Sequence, residues 1–349
     1  SNFSGSVVFL KMYYLLFSFF YECLNRLRFF ASCNSTYAIS IIMEEEAEIK
    51  VLEFYCGVGG THFALNRLST PFSVTAAFDI NTTTNIIYRH NFPLTNLCQS
   101  NIQGLSVASL EKFEADLWTM SPPCQPFTLK GNRKGGDDRR CDSFKTLLSS
   151  LSEMNCPPRW IFIENVAAFH SSSLHSALIE KLNAVGFQIE EYILSPVYFG
   201  IPNSRPRYYL LASRTKGPIQ YDSHLHKSID GLVECEASMI GEYLDDKLDN
   251  TYLPSDKVDQ TALSIVDSSS TSSSCFTKSY THFLVGCGSY LRDSNGIRPF
   301  SPREVASLMS FPLSFSWPEQ ITNKQVYRAL GNSVNVEVVS KLLSRLISN

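Results

Sequence analysis

From Lys50 onward the chain alternates short apolar runs with stretches of helical periodicity, and this alternation restricts its fold more than any other feature. KVLEF precedes a helix-like stretch from Thr61 to Leu68, VTAAFD precedes a polar helix from Thr82 to His90, and DLWTM precedes a helical segment from Ser143 to Met154. WIFIE, a helix from Leu174 to Val185 and FQIEEYILS continue the series. Strands that alternate with helices predict an α/β fold whose parallel sheet is covered on both faces. RYYLLAS, after the turn IPNSRP, follows the preceding strand too closely for a crossover helix and reads as an antiparallel hairpin at the end of the sheet.

With 349 residues, 44% hydrophobic and 18% charged, the chain can bury a core for one large domain and a smaller one. Between Arg214 and Ile297 the periodicity weakens, and the serine-rich run DSSSTSSSC (267–275) reads as a flexible loop inside a small inserted domain. Helical signal resumes at Ser301, where SPREVASLMSF has proline at the first helical position and Glu304 three residues after the serine, a capping box. A closing helix from Val334 to Ile347 is expected to pack back on the first domain. The division expected is therefore an extension over 1–46, a first domain over 47–213 and 298–349, and an insertion over 214–297.

The first 42 residues contain VVFLKMYYLLFSFFYECLNRLRFF, broken by Lys11 and Glu22. Such apolar density suits a membrane anchor or signal segment. The alternative, adopted here, is a start at Met43, with residues 1–42 an upstream extension that carries no function. Outside that stretch 27 basic residues face 32 acidic ones, so a polynucleotide substrate would require a local basic face. The ten cysteines form no C-x-x-C pair and no metal-ligand spacing, so free thiols in a reducing compartment and no metal are expected.

Four motifs carry chemistry. In EFYCGVGGTHFAL, Gly57, Gly59 and Gly60 lie between a strand and a helix, where backbone can approach a ligand closely; a plain strand-to-helix turn is the bland alternative. Asp79 ends the next strand and can accept hydrogen bonds from ribose hydroxyls, and no Lys-Ser or Lys-Thr follows the glycines as a phosphate loop would require. In DLWTMSPPCQPF, two prolines stiffen the exit from a strand, which places Cys124 in a loop at the carboxyl edge of the sheet. In WIFIENVAAF, Glu164 and Asn165 end a neighbouring strand and are expected to face the same pocket. In IPNSRPRYYL, Arg205 and Arg207 are two apart on extended backbone and project the same way. After the cysteine, KGNRKGGDDRR (130–140) is either a cover that contacts phosphates or a charged loop free of substrate.

Taken in this order, the blocks resemble the cytosine carbon-5 methyltransferase family: Pro123-Cys124-Gln125, Glu164-Asn165-Val166 and Asn203-x-Arg205-x-Arg207, followed by RPFSPREVASLMSFP and YRALGNSVNVEVVSKLL. The similarity spans roughly residues 50–349, and Cys275-Phe276-Thr277 with Lys278 is most similar to the eukaryotic transfer-RNA branch. The resemblance implies a Rossmann-like class I methyltransferase fold that binds S-adenosylmethionine. Cofactor contacts are implied for Tyr55, Gly57, Val58, Gly59, Gly60, Asp79, Ile80, Ile102, Gln103, Ser121, Asn332 and Ser333. Substrate contacts are implied for Gln125, Asn165, Arg133, Lys134, Arg139, Arg140, Cys275, Phe276, Thr277 and Lys278. The sequence departs from its relatives at Asn203, where many have glutamine, at Gln103, where an acidic residue is common, and at Cys56 and Cys141.

The implied reaction explains why the loop holds a thiol. Carbon 5 of cytosine is too electron-poor to attack a methyl sulfonium, and addition of a thiolate at carbon 6 makes it nucleophilic. Cys124 would be that nucleophile, and Glu164 would share a proton with ring nitrogen 3. Of Arg205 and Arg207, one would hold the exocyclic oxygen of the base and the other would orient Glu164 or a phosphate. The expected substrate is an anticodon-loop cytosine of aspartate transfer RNA, whose unstacked bases are cheap to extrude. DNA is the second candidate, and an inactive RNA-binding scaffold is the alternative of another class. A monomer in the cytoplasm and nucleus is expected.

Overall fold

The computed structural model describes residues 48–123, 141–214, 225–226, 235–245, 253 and 260–348. The chain divides into Ser1–Ala47 and Glu48–Asn349, and every described residue belongs to the second unit. Cys124, Gln125, Arg133, Lys134, Arg139 and Arg140 lie outside the described residues, as does the N-terminal extension.

The first strand, β1 (Ile49–Phe54), has Val51, Leu52, Glu53 and Phe54 all buried, as a strand covered on both faces demands. It lies between β2 (Phe72–Phe78) and β4 (Leu117–Met120), parallel to both. β3 (Leu97–Cys98) extends one edge beyond β2, and β5 (Trp160–Val166) continues in parallel beyond β4. The chain then departs from the sequence expectation. RYYLLAS forms β7 (Arg207–Ser213), which is antiparallel to its predecessor β6 (Gln188–Leu194) but also inserts between β6 and β5. With β8 (Leu225–His226) beyond β6, the order among described residues is β3-β2-β1-β4-β5-β7-β6-β8. The central position of β7 follows from its burial, since Tyr208 through Ser213 leave no solvent-facing side.

Alternate strand residues feed two cores. Leu52, Trp118, Ile161, Ile163, Tyr208 and Leu210 pack on one face against α4 (Asp142–Leu151) and α5 (Ser173–Val185). Val51, Leu117, Phe162, Tyr209 and Leu211 pack on the other, in one cluster with α1 (Gly60–Leu65) and the C-terminal helix α8 (Val336–Ser348). α8 buries Val338, Val339, Leu342, Leu343 and Leu346, and truncating any of these leucines to alanine costs on the order of 2–5 kcal/mol. The polar helix appears as α2 (Thr82–Asn91), with the Asn81 side chain capping Thr83 and Thr84; a short α3 (Val107–Glu111) leads into β4.

The capping box at Ser301 forms: Glu304 N–H donates to the Ser301 hydroxyl at 3.0 Å, and Ser301 N–H donates to the Glu304 carboxylate at 2.7 Å, opening α6 (Pro302–Leu308). The serine run expected as a flexible loop is instead tied down. Asp267 accepts from Ser269 and Ser270, Ser273 donates to the Pro202 carbonyl at 2.8 Å, and Ser274 pairs with Ser289. Short hydroxyls serve here as partners for backbone that has no ladder of its own.

A small sheet of β9 (Ile265–Val266), β10 (Tyr290–Asp293) and β11 (Gly296–Pro299) follows, with β11 running across the expected boundary at 297. Its core is continuous with that of the C-terminal helices. Phe276, Tyr280 and Phe300 stack edge to face, and the hydroxyl of Tyr327, on α7 (Asn323–Gly331), donates to the Phe300 carbonyl at 2.6 Å. No described helix is long and apolar enough to cross a membrane. Cys56, Cys98, Cys141, Cys156, Cys235, Cys275 and Cys287 are free thiols.

Candidate active site

Chain order reverses between β1 and β4, and at such a switch the loops leaving the carboxyl ends of two adjacent strands diverge and open a crevice. Here the loops are Tyr55–Gly59 and Ser121–Pro123. A cavity of about 490 Å³ lies between them, bounded further by Asp79, Ile80, Ile102, Gln103, Glu164, Arg205, Arg207 and the turn Gly331–Val334.

The glycine turn is shaped from both sides. Tyr55 adopts a left-handed backbone at φ 58, a strain on the order of 1–3 kcal/mol, and its hydroxyl pairs with Ser143 on α4 at 2.9 Å. Gly57, at φ 54, has open space where a side chain would stand, so the cavity reaches the backbone itself. Its N–H donates to one Asp79 carboxylate oxygen at 2.9 Å while the other oxygen accepts from Asn81 N–H at 2.8 Å. Burial pushes the Asp79 carboxyl up, against the pull of these amides. Asp79 thus clamps the turn and retains acceptor capacity for a hydroxylated ligand.

At the other end lies a cluster of charge. Glu164 is buried, and Arg207 reaches it with Nε 3.4 Å from a carboxylate oxygen. Burial raises the pKa of Glu164, and the nearby Arg207 and Arg205 charges and the Ser121 hydroxyl only partly counter this. The carboxyl therefore keeps its proton to higher pH than an exposed glutamate would.

Arg205 and Arg207 have unequal surroundings. The Arg205 guanidinium is 3% exposed and donates to the carbonyls of Phe276 (3.0 Å), Gly331 (3.2 Å) and Ser333 and to the Cys275 sulfur (3.4 Å). It binds the Cys275–Phe276 segment to the Gly331–Ser333 turn, while Arg207 forms the ion pair with Glu164. The same junction requires glycine at 331: a β-carbon there would stand 2.2 Å from the Lys278 backbone nitrogen. Burial alone would push the Cys275 thiol up, but the two guanidiniums reverse this and its pKa lies below the ordinary value.

Of the residues implied as cofactor contacts, Tyr55, Gly57, Val58, Gly60, Asp79, Ile80, Ile102, Gln103, Ser121, Asn332 and Ser333 line the cavity. Gly59 does not; the space beside its α-carbon is filled by the Phe92 ring, so it serves packing behind the turn. Asn165 also differs from expectation. It is buried on the face opposite Glu164, donates to the Pro122 carbonyl at 3.3 Å and accepts from Val166 N–H at 2.8 Å, so it braces the two-proline loop. Phe276 is 1% exposed inside the aromatic cluster and presents nothing to a substrate. Thr277 N–H donates to the Cys287 carbonyl, and Cys275, Thr277 and Lys278 are partly exposed. The sequence reading missed Ser143 and Asn101 on the cavity wall, which no spacing links to the turn they face, and Val166, which the strand period of two places on the same side as Glu164.

Behind the turn lies a buried polar network. The Tyr88 hydroxyl donates to Glu53 at 2.9 Å, pairs with His62 Nδ1 at 2.8 Å, and the His62 ring stacks on Phe92 at 3.7 Å. Burial pushes the Glu53 carboxyl up to about 8, against the hydrogen bond from Tyr88, and lowers His62 to about 4. Below the ordinary carboxylate range Glu53 is protonated whether folded or not. As pH rises from there to about 8 the unfolded chain releases the proton and the folded one keeps it, so stability falls through this window and levels off above it. Glu53→Gln is expected to remove that slope and to stabilise the protein at pH 8 by on the order of 2 kcal/mol, measured by urea unfolding across the window.

A sheet of this order, with an antiparallel strand inserted near one end, a glycine turn after β1 and an acidic residue closing β2, defines a class I methyltransferase fold. The chain belongs to the cytosine carbon-5 methyltransferase family: the family described as C-5 cytosine-specific DNA methylase matches residues 49–285 and 278–348. A Schizosaccharomyces pombe tRNA (cytosine(38)-C(5))-methyltransferase is 39% identical over 320 residues, covering 86% of this chain and 97% of that protein. A Dictyostelium discoideum DNA (cytosine-5)-methyltransferase is 34% identical, covering 86% and 95%. A crystal structure of Spodoptera frugiperda DNMT2 superposes with a TM-score of 0.78 at 34% identity, covering 86% of this chain and all of that one.

Proposed function

We propose that the protein methylates carbon 5 of an anticodon-loop cytosine in transfer RNA, with aspartate transfer RNA as substrate, S-adenosylmethionine as donor and Cys124 as nucleophile. The observation that carries this reading is the buried Glu164 held by Arg207 on the wall of the cavity that also receives the glycine turn. Relatives named for cytosine 38 of transfer RNA support the substrate. The free thiols support a reducing compartment, cytoplasm or nucleus, and we take the chain to act as a monomer.

The cavity fits the donor on its own terms. Gly57 leaves a cradle for it, Asp79 offers lone pairs to ribose hydroxyls, and Asn332 and Ser333 close the opposite wall. When bound, the donor supplies an electrophilic methyl group. The chain's part is to activate the base. The Cys124 thiolate adds to carbon 6, Glu164 shares its proton with ring nitrogen 3 as charge arrives there, and Arg207 holds Glu164 in place and offers N–H groups to the base oxygen. Once carbon 5 carries the methyl group, loss of its proton to a base expels the Cys124 thiolate and restores the ring. Pro122, braced by Asn165, fixes the path of the chain two residues before Cys124.

Protein incubated with labelled donor, total transfer RNA and duplex DNA is expected to label the RNA. The name of the Dictyostelium relative supports duplex DNA as the second reading; label on DNA alone would reverse the assignment. Glu164→Gln is expected to slow methylation by roughly 10²- to 10⁴-fold. The parent rate should fall as pH rises through the elevated pKa of Glu164, because the acid form is the active one, and the variant's pH profile should lack that limb.

A further inference from the structure

On the α4–α5 face of the sheet, a group of ligand-bearing side chains takes no part in the proposed chemistry. Glu191, on β6, is 2% exposed in a layer of apolar side chains. Its Oε1 accepts from the Tyr208 hydroxyl at 2.6 Å and lies 2.5 Å from His175 Nε2, in the first turn of α5. His170, from the single turn Ala167–Ser171 that follows β5, brings its ring to 4.6 Å from that of His175. One ligand atom from each of His170, His175 and Glu191 lies within 4.8 Å of the other two. Both histidines are partly exposed, so solvent reaches the group, and among the described residues the His170 side chain makes no hydrogen bond.

We propose that His170, His175 and Glu191 bind a divalent cation of the zinc class. Two imidazoles and a carboxylate are the donor set such an ion prefers. At bond lengths of about 2.0–2.2 Å, a tetrahedral ion holds neighbouring ligand atoms a little over 3 Å apart. Modest side-chain rotation closes this cluster from its present spread, and the short His175–Glu191 contact opens as the ion replaces the shared proton. Water can fill the fourth position on the exposed side. The Tyr208 hydroxyl, bonded to the carboxylate from within the core, fixes the orientation of the one buried ligand. Such an ion would tie the segment following Glu164 and Asn165 to α5 and β6, a staple beneath the strand that carries the acid. No cysteine spacing announces the site, because its three ligands come from three separate elements.

The test uses the full chain stripped with a chelator, titrated with Zn(II) by calorimetry and with Co(II) by visible absorption. The expected result is one equivalent per chain, Co(II) ligand-field bands without the intense near-ultraviolet band of thiolate ligation, and a higher melting temperature with zinc. His170→Ala, which breaks no hydrogen bond among the described residues, and His175→Gln are each expected to weaken zinc binding about tenfold or more. His170→Ala should leave the metal-free melting temperature unchanged. Absence of binding, binding that survives both substitutions, or a thiolate band would each overturn the proposal, the last two by assigning the ion to other residues such as the cysteines. None of these readouts depends on methylation.

Discussion

Replacing Cys124 with alanine is expected to slow methyl transfer by roughly ten-thousandfold or more while leaving cofactor affinity intact. The base is not a nucleophile at carbon 5 until a covalent bond forms at carbon 6, so loss of the thiolate removes the reaction itself rather than one contributor to its rate. Cofactor affinity should survive because the described lining of the cavity, the glycine turn held by Asp79 and the Asn332–Ser333 turn, is built from residues other than Cys124. Serine should not rescue, since its hydroxyl is far harder to ionise than a thiol. Kinetics with saturating transfer RNA and equilibrium binding of the donor separate the two effects. Equal loss of both would mean that the residue supports the fold and not the chemistry.

Arg205→Ala is expected to destabilise the protein by on the order of 3–5 kcal/mol and to weaken donor binding with it. The guanidinium satisfies carbonyls from two segments far apart in sequence, Phe276 on one side and Gly331 and Ser333 on the other. Its removal leaves those buried acceptors without this donor and opens a cavity between the inserted region and the turn that lines the cofactor site. Lysine should restore little, because one ammonium cannot fork to both segments. Arg207→Ala is the contrast: its guanidinium reaches Glu164, the Cys275 sulfur and its own Pro206 carbonyl but bridges no carbonyls of distant segments, so the rate should fall with a smaller loss of stability than in Arg205→Ala. Urea unfolding of the two variants beside their kinetics checks the distinction. Similar stability losses in both would contradict the separate roles.

The physics that made the α/β core legible also limited the reading. Alternating strands and helices can be seen because each strand buries both faces and each helix one. Where β7 sits in the sheet cannot, since a strand apolar on both sides fits any interior position; only long-range pairing with Asn165 and Tyr192 neighbours decides it. The period of two that places Arg205 and Arg207 on one side must place Glu164 and Asn165 on opposite sides, and Asn165 accordingly braces Pro122 from behind. The first helix ends at Leu65, short of the expected Leu68, because the bonding tightens there to three-residue turns, Arg67 N–H to the Ala64 carbonyl and Leu68 N–H to that of Leu65. Cavity residues within the motifs were legible because the turn needs glycine and the ribose needs an acid. Arg205's partners are backbone carbonyls, which leave no mark in the identity of the residues that bear them. The serine run misled for the same reason: its partners, Pro202, Asn203 and Ser289, lie in distant segments.

The most direct test of the central chemistry is a trap. Transfer RNA carrying 5-fluorocytosine at the target position cannot lose the group at carbon 5, so the enzyme incubated with it and the methyl donor should remain covalently attached. Proteolysis and mass spectrometry are expected to find the nucleotide on the peptide containing Cys124. A complete absence of adduct, or an adduct on the arginine-flanked Cys275, would contradict the account.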